Sequence, residues 1–268
     1  MFDIQPTVSA VWLAEQLANP QVIVVDCRFK LADPDWGHQQ YLNGHIPGAF
    51  YLDLNRDLSA PVQRHGGRHP LPNESFAEKL AVIGIIKNRT FVVAYDDSRF
   101  AFAARLWWLL RYLGHEPVAL LDGGWTGWCQ QYPVSQELPE PEVGEFVPQP
   151  HREWIADIEA VKRGSSLLID SRDSDRYRGE REPIDPLAGH IPTAVNAPWK
   201  AVSDEQGYLL PLSKQRQLWS DYEGRDLVVY CGSGVTACVN LFSLWLTGHR
   251  NVKLYPGGWS DWCSYLEQ

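Results

Sequence analysis

The 268-residue sequence has no basic excess: 24 Lys and Arg stand against 33 Asp and Glu, a formal charge of −9. Nonspecific nucleic-acid binding draws its affinity from displaced phosphate counterions, so this balance excludes that class, and no nucleic-acid partner is expected. Long hydrophobic runs are missing as well. None approaches the roughly 18 residues that a membrane helix needs, and the start, Met1 to Thr7, has neither the basic nor the apolar region of a secretion signal. A cytoplasmic protein with no membrane partner is expected. Cysteine is sparse. Cys27, Cys129, Cys231, Cys238 and Cys263 are odd in number, widely scattered and without a CxxC pair, which fits neither a disulfide framework nor a zinc site. No metal is expected, and any cysteine chemistry must come from a single thiol. At 44% hydrophobic and 21% charged, the chain can build a core and carries too little charge for disorder.

What is present is a repeat. The first half reads VIVVDCR at 22–28, GHIPGA at 44–49, FVVAYDD at 91–97 and LDGGWTGW at 121–128. The second reads LLIDSR at 167–172, GHIPTA at 189–194, LVVYCGS at 227–233 and YPGGWSDW at 255–262. Position 26 matches 170, 45 matches 190, 96 matches 231 and 123 matches 257, offsets of 144, 145, 135 and 134. Four matches in one order divide the chain into domains at 1–132 and 151–268. Between them, PVSQELPEPEVGEFVPQP at 133–150 holds prolines that cannot continue a helix or a central strand, and it reads as a linker.

Short β-rich runs such as Val22 to Asp26 and Leu227 to Tyr230 lack polar alternation, as strands buried on both faces do. Ala103 to Tyr112 and Ala237 to Leu246 are apolar helical stretches, ending at Gly114 and Gly248. Alternating strands and helices predict an α/β fold in which each domain is a mostly parallel sheet flanked by helices on both faces.

Cys231 follows one predicted strand and precedes a helix, with Gly232, Ser233, Gly234, Val235 and Thr236 between. In parallel α/β sheets ligands bind beyond the carboxyl ends of the strands, where a tight loop aims successive N–H groups inward. Gly232 and Gly234 permit the curl, and the helix N-terminus adds unpaired N–H groups and a positive dipole end. The hollow favours an anion. A thiol there is expected to ionise readily, because helix N-termini lower thiol pKa from about 8.5 to between about 3.5 and 7.5. The other four cysteines sit in apolar or Trp-rich settings and read as small buried hydrophobes.

The tandem GHIP and GGW elements, together with CGSGVT at 231–236, resemble the two-domain rhodanese family over essentially the whole chain. Within it, the loop is similar to that of 3-mercaptopyruvate sulfurtransferases. The resemblance implies tandem rhodanese-like domains and ping-pong sulfur transfer. Cys231 would take a sulfane sulfur from a small-molecule donor, 3-mercaptopyruvate or thiosulfate, hold it as a persulfide, and yield it to a thiol or cyanide acceptor, thioredoxin among them. No cofactor is implied, since the backbone N–H groups serve every anionic stage. Asp96 and Asp97 stand at the equivalent place in the first domain, and a carboxylate cannot carry transferable sulfur, so that copy reads as silent.

In relatives acting on mercaptopyruvate, an arginine in an R-[FY]-R-G segment and a second nine residues later hold the donor's carboxylate. Arg176 matches the first. The second position falls at Asp185, leaving Arg181 as the substitute, while Arg172, Arg178 and Arg181 have acidic neighbours to pair with. A Ser, His and Asp relay proposed for some relatives would use Ser233 and His69; its aspartate position is Asn55 here, with Asp53 and Asp57 close by, and Asp53 is taken as the candidate. Repeated His45 and His190 occur in the silent copy too, which favours a structural role. Trp36 is either a wall of the site or a packing residue.

Two rivals remain. A cysteine phosphatase would need arginine six residues after its cysteine, and Ala237 stands there. A noncatalytic tandem binding module would have no need of a thiol in a glycine loop.

Overall fold

The structure, a computed structural model, describes residues 5–266, so most of the start read above, Met1 to Ile4, lies outside the described residues. In chain order the elements are β1 (Thr7–Val8), α1 (Ala10–Gln16), β2 (Val22–Asp26), α2 (Trp36–Asn43), β3 (Phe50–Tyr51), α3 (Ser75–Val82), β4 (Phe91–Tyr95), α4 (Ala103–Tyr112), β5 (Val118–Leu121) and α5 (Gly124–Cys129). The second half follows with α6 (Ile158–Arg163), β6 (Leu167–Asp170), α7 (Ser174–Tyr177), β7 (Val195–Asn196), α8 (Leu212–Trp219), β8 (Leu227–Tyr230), α9 (Ala237–Leu246), β9 (Val252–Leu254) and α10 (Gly258–Ser264).

Every strand pairing is parallel. One sheet has the order β1-β5-β4-β2-β3 and the other β7-β6-β8-β9, so β5-β4-β2-β3 repeats as β9-β8-β6-β7. The edge that β1 adds beside β5 is reduced in the second sheet to a single parallel bridge, Ile155 with Leu254. The central strands β4 and β8 are buried along their whole length, as their unbroken apolar runs require. Helix α1 is capped by the Ser9 hydroxyl accepting from the Trp12 N–H at 3.2 Å, and α6 by Asp157 accepting from the Ala160 N–H at 2.7 Å. Among the described residues no helix is long and apolar enough to cross a membrane.

The chain forms two compact units, and neither is a continuous half of the sequence. The first comprises the chain up to Ser59, Pro72–His151 and Glu205–Leu209; the second comprises Ala60–Leu71, Arg152–Asp204 and Leu210 onward. The stretch 133–150 is part of the first unit and docks on it. Ser135 and His45 exchange N–H···O bonds of 2.9 Å, the Gly144 N–H donates to the Ala81 carbonyl at 2.8 Å, and Phe146 is buried. Prolines exclude a helix or a central strand from this stretch, but not docking through isolated bonds.

Each unit is braced identically beneath its repeated motifs. Arg28 clasps Asp26 and donates from Nη2 to the Gly44 carbonyl at 2.7 Å. Arg172 clasps Asp170 and donates from Nη2 to the Gly189 carbonyl at 2.6 Å. These carbonyls belong to the first residue of each GHIP. The Tyr95 and Tyr230 hydroxyls accept from the Ile46 and Ile191 N–H groups at 3.3 and 3.2 Å. His45 and His190 bond through Nδ1 to the carbonyls of Tyr41 (2.7 Å) and Tyr177 (2.8 Å). GHIP is therefore a strut, and each of its histidines is tied to backbone through Nδ1. Arg28 and Arg172 are almost fully buried, so removing either would strand a buried carboxylate, a loss of about 3–5 kcal/mol.

Candidate active site

Strand β8 ends at Tyr230, and Cys231 begins the loop to α9, 3% exposed. Two carbonyls of this loop are turned away from the hollow. The Trp259 N–H donates to the Cys231 carbonyl at 2.8 Å and the Ser260 N–H to that of Gly232 at 2.9 Å, so the first turn of α10 absorbs them. This explains the second glycine of GGW. Gly258 has φ +61°, and a Cβ there would lie 2.5 Å from the Cys231 oxygen. Gly234 has φ +70°, with its Cβ position 2.4 Å from the Pro256 oxygen, so a side chain is excluded within the loop as well.

The first unit shows what such a loop holds. Asp96 occupies the position of Cys231, its carbonyl accepts from the Trp125 N–H at 2.9 Å, and Gly124 repeats Gly258 with φ +51°. The Asp96 side chain, in a residue 3% exposed, turns back into its own loop. Oδ1 accepts from the N–H groups of Ser98 (2.8 Å) and Phe100 (3.1 Å), and Oδ2 from those of Phe102 and Ala103 (both 2.8 Å). Four backbone donors thus converge on one carboxylate at the start of α4, which is an anion cradle with its anion built in.

Burial pushes the Asp96 carboxyl up to about 6, against the pull of those N–H groups. The folded chain therefore binds this proton at higher pH than the unfolded chain, whose ordinary value is 3.8. Between these values the native state holds more protons, so its stability falls as pH rises. Relative to Asp96→Asn, which cannot titrate there, the wild type is expected to lose up to about 3 kcal/mol between pH 4 and 7. Urea unfolding of both proteins across that range checks it; parallel curves would refute the assignment.

Around Cys231 the second unit gathers charge from three segments. Segment 60–71 is anchored by the Gly66 N–H donating to Asp261 Oδ1 at 2.6 Å and by His65 Nδ1 with Ser264 Oγ at 2.7 Å. A Cβ on Gly67 would stand 2.4 Å from the Gly257 oxygen, so this segment lies directly on the GGW turn. It delivers Arg68 and His69. Arg68 Nη2 lies 2.8 Å from where a Cβ of Gly232 would be, and Arg176 Nη1 and Nη2 lie 3.8 Å from that point. Both guanidinium groups thus face the residue beside the thiol. Burial pulls the Arg68 guanidinium below its ordinary value; the Cys231 sulfur opposes this and the neighbouring Arg176 adds to it.

Carboxylates answer these cations. Glu182 accepts from Arg176 through Oε1 (Nη2, 2.7 Å) and Oε2 (Nε, 3.2 Å), and its Oε2 also accepts from Arg172 Nη1 at 3.3 Å. Asp185 accepts from Arg68 Nη1 on one oxygen and from Arg176 Nη2 on the other, the latter at 3.2 Å. The sequence pattern missed Arg68, whose only outward sign is its place beside His69 in Gly-Gly-Arg-His. It is 163 positions from Cys231 (68 to 231).

Arg181 does not join this group: its guanidinium is exposed and ion-paired with Asp175 at 2.6 Å and Asp173 at 3.9 Å. Ser233 and His69 do meet, with Nδ1 2.7 Å from Oγ and both buried. Asp53 belongs to the first unit. There its Oδ1 accepts from the Asn55 and Arg56 N–H groups at 2.8 and 2.9 Å and its Oδ2 from the Tyr51 hydroxyl at 3.2 Å, so its oxygens serve its own turn. Trp36 starts α2 in that unit beneath Lys30, whose Nζ is 3.8 Å from the ring centroid. Cys27, Cys238 and Cys263 are buried and Cys129 is exposed; burial drives the Cys27 thiol well up.

Comparison with known proteins identifies the family. The family model described as the rhodanese-like domain matches twice, over residues 9–131 and 153–265. The chain is 44% identical over 266 residues to the probable 3-mercaptopyruvate sulfurtransferase of Pseudomonas aeruginosa, covering 95% of this chain and 93% of that protein. It is 35% identical to the putative thiosulfate sulfurtransferase SseB of Mycobacterium tuberculosis, with coverage of 97% and 94%. The crystal structure of the 3-mercaptopyruvate sulfurtransferase SseA from Escherichia coli superposes with a TM-score of 0.83 at 32% identity, covering 96% of this chain and 99% of that one.

Proposed function

The chain belongs to the rhodanese-like family of sulfurtransferases, and from that premise we propose that Cys231 carries sulfur from 3-mercaptopyruvate, in preference to thiosulfate, to a thiol acceptor. The observation that carries the reading is the pair of guanidinium groups, Arg68 and Arg176, set over the glycine next to the thiol. A donor whose sulfur is at Cys231 would have its carboxylate within reach of those planar forks.

In the first half-reaction the Cys231 thiolate attacks the donor sulfur. The carbon–sulfur bond breaks, its electron pair leaves with carbon as the enolate of pyruvate, and a proton completes pyruvate. The persulfide stays on Cys231. The hydrogen-bonded Ser233 and His69 are the candidate route for that proton; Asp53 is left out of it, because its oxygens are engaged by its own turn. In the second half-reaction an acceptor thiolate, such as that of thioredoxin, attacks the outer sulfur and restores the Cys231 thiolate; cyanide would leave as thiocyanate. The loop from Cys231 runs into the N-terminus of α9 and the two guanidinium groups stand over its Gly232, so an anionic sulfur at either stage would have positive partners on this loop. A cytoplasmic setting belongs to the same proposal and rests on the five unpaired cysteines.

Steady-state assays with both donors test it. Mercaptopyruvate is expected to give a kcat/KM at least about tenfold above thiosulfate, and Arg176→Ala to raise KM for mercaptopyruvate by roughly ten- to a hundredfold. The mutation should change iodoacetamide labelling of Cys231 far less. Thiosulfate as the better donor would favour the thiosulfate:cyanide reading instead, and unchanged kinetics in the variant would remove Arg176 from the donor site.

A further inference from the structure

We propose that Asp185 is the resident occupant of the donor's anion site, and that an anionic donor gains Arg68 and Arg176 only by displacing it. The proposal rests on the reading that an anionic donor approaches Cys231 along these arginines, and it identifies the residue that sets the donor's affinity.

The geometry is that of a bound ligand. One Asp185 oxygen meets Arg68 Nη1 and the other meets Arg176 Nη2 at 3.2 Å, so a single carboxylate bridges the two cations that face the Cys231 loop. Asp185 is 7% exposed, while its neighbours Pro183, Ile184, Pro186, Leu187 and Ala188 are all exposed. A surface stretch thus sends one charged side chain inward. Positions 183–187 form neither helix nor strand. The stretch is pinned at Glu182 by three guanidinium bonds and near its far end by Trp259 Nε1 donating to the Leu187 carbonyl at 2.8 Å. Between those pins, the Asp185 N–H donating to Glu182 Oε1 at 3.1 Å is the backbone hold on residue 185. Its side chain can swing to water without unfolding an element.

Charge makes the exchange one for one. Arg68, Arg172 and Arg176 face Asp170, Glu182 and Asp185, three cations against three anions. A donor carboxylate added to that set would leave an unmatched negative charge beside the Cys231 loop. A donor carboxylate replacing that of Asp185 keeps the balance, with the displaced group solvated outside. Glu182 cannot serve as the exchanging partner, because it also holds Arg172 of the strut. Among the described residues, the hydrogen bonds recorded for Asp185 run to the two guanidinium groups and, from its N–H, to the Glu182 side chain.

Asp185→Asn keeps the shape and removes the charge. It is expected to lower KM for mercaptopyruvate by roughly tenfold while changing kcat less than about threefold. A second readout needs no turnover: pyruvate, a carboxylate with no sulfur to give, should protect Cys231 from iodoacetamide at a correspondingly lower concentration in the variant, followed on the Cys231 peptide by mass spectrometry. If Asp185 merely holds the arginines in place, the variant will instead show a higher KM and weaker protection, and the proposal is overturned. Measuring thiosulfate in parallel separates the two readings. A drop in KM for both donors upholds the exchange whichever donor is preferred, and a wild type inactive with both sinks the functional reading while the protection assay still reports on the anion site. Asp185→Ser is the second variant. Loss of the folded state in both variants would make the carboxylate a structural member and overturn the proposal.

Discussion

Cys231→Ser is expected to abolish turnover with every donor and to leave the fold intact. A hydroxyl is nearly isosteric with the thiol, and the residue's carbonyl bond to the α10 turn is unaffected, so stability should stay within about 1 kcal/mol of wild type. A serine hydroxyl, however, is a far poorer nucleophile than a thiol and forms no persulfide. Loss of an essential nucleophile costs on the order of 10⁴ to 10⁶ in kcat. Intact-protein mass spectrometry gives the cleaner reading. Incubation with donor should add the mass of one sulfur atom to wild type and none to the variant. A variant that still gains sulfur would move the chemistry to another cysteine, with exposed Cys129 the first to examine.

The second large effect is a matched pair. Gly124→Ala and Gly258→Ala make the same change in the two copies, at φ +51° and +61°, placing a Cβ 2.3 and 2.5 Å from the carbonyl oxygens of Asp96 and Cys231. Each should lose about 3 kcal/mol or more, since left-handed strain adds to a backbone clash that no side-chain rotation relieves. Their activities should part. In Gly258→Ala the Cys231 carbonyl must move and the loop with it, and a misplacement near 1 Å costs about a hundredfold in rate. Folded Gly124→Ala should retain kcat/KM within about threefold, because its clash falls on Asp96 in the first unit. Equal losses of activity in the two variants would show that the GGW turn matters to folding alone. The comparison is best made at a temperature where both variants are folded, judged by circular dichroism.

Much of this was legible in the sequence. The two copies, their parallel sheets, the loop from Cys231 to Thr236 and the place of Arg176 follow from runs of a few residues whose order repeats. Repetition also explained the GHIP histidines: a residue present in a copy without the thiol is serving the fold. The rest was hidden for a physical reason. Arg68 reaches Asp185 across 117 positions, and an ion pair between two loops leaves no period in either. The family pattern led to a second arginine near position 185. The chain has a carboxylate there and brings the cation from segment 60–71, so the charges at those two points are exchanged. Arg181, suggested by proximity in sequence, points to Asp175 instead. The stretch 133–150 was legible as non-helical, yet its docking on the first unit depends on scattered backbone bonds that composition does not register.

The Asp96 side chain has one more consequence, a matter of mass action. A ligand tied to its receptor by two covalent bonds has an effective concentration far above any that a free metabolite reaches in solution. No soluble anion can compete for the first unit's cradle, and no change of donor supply will alter its occupancy. Restoring exchange there would require subtraction: a chain shortened at residue 96 would gain a vacancy before it could gain a nucleophile. Duplication has thus left one half saturated at every concentration, and the dose response of the whole protein should follow a single site.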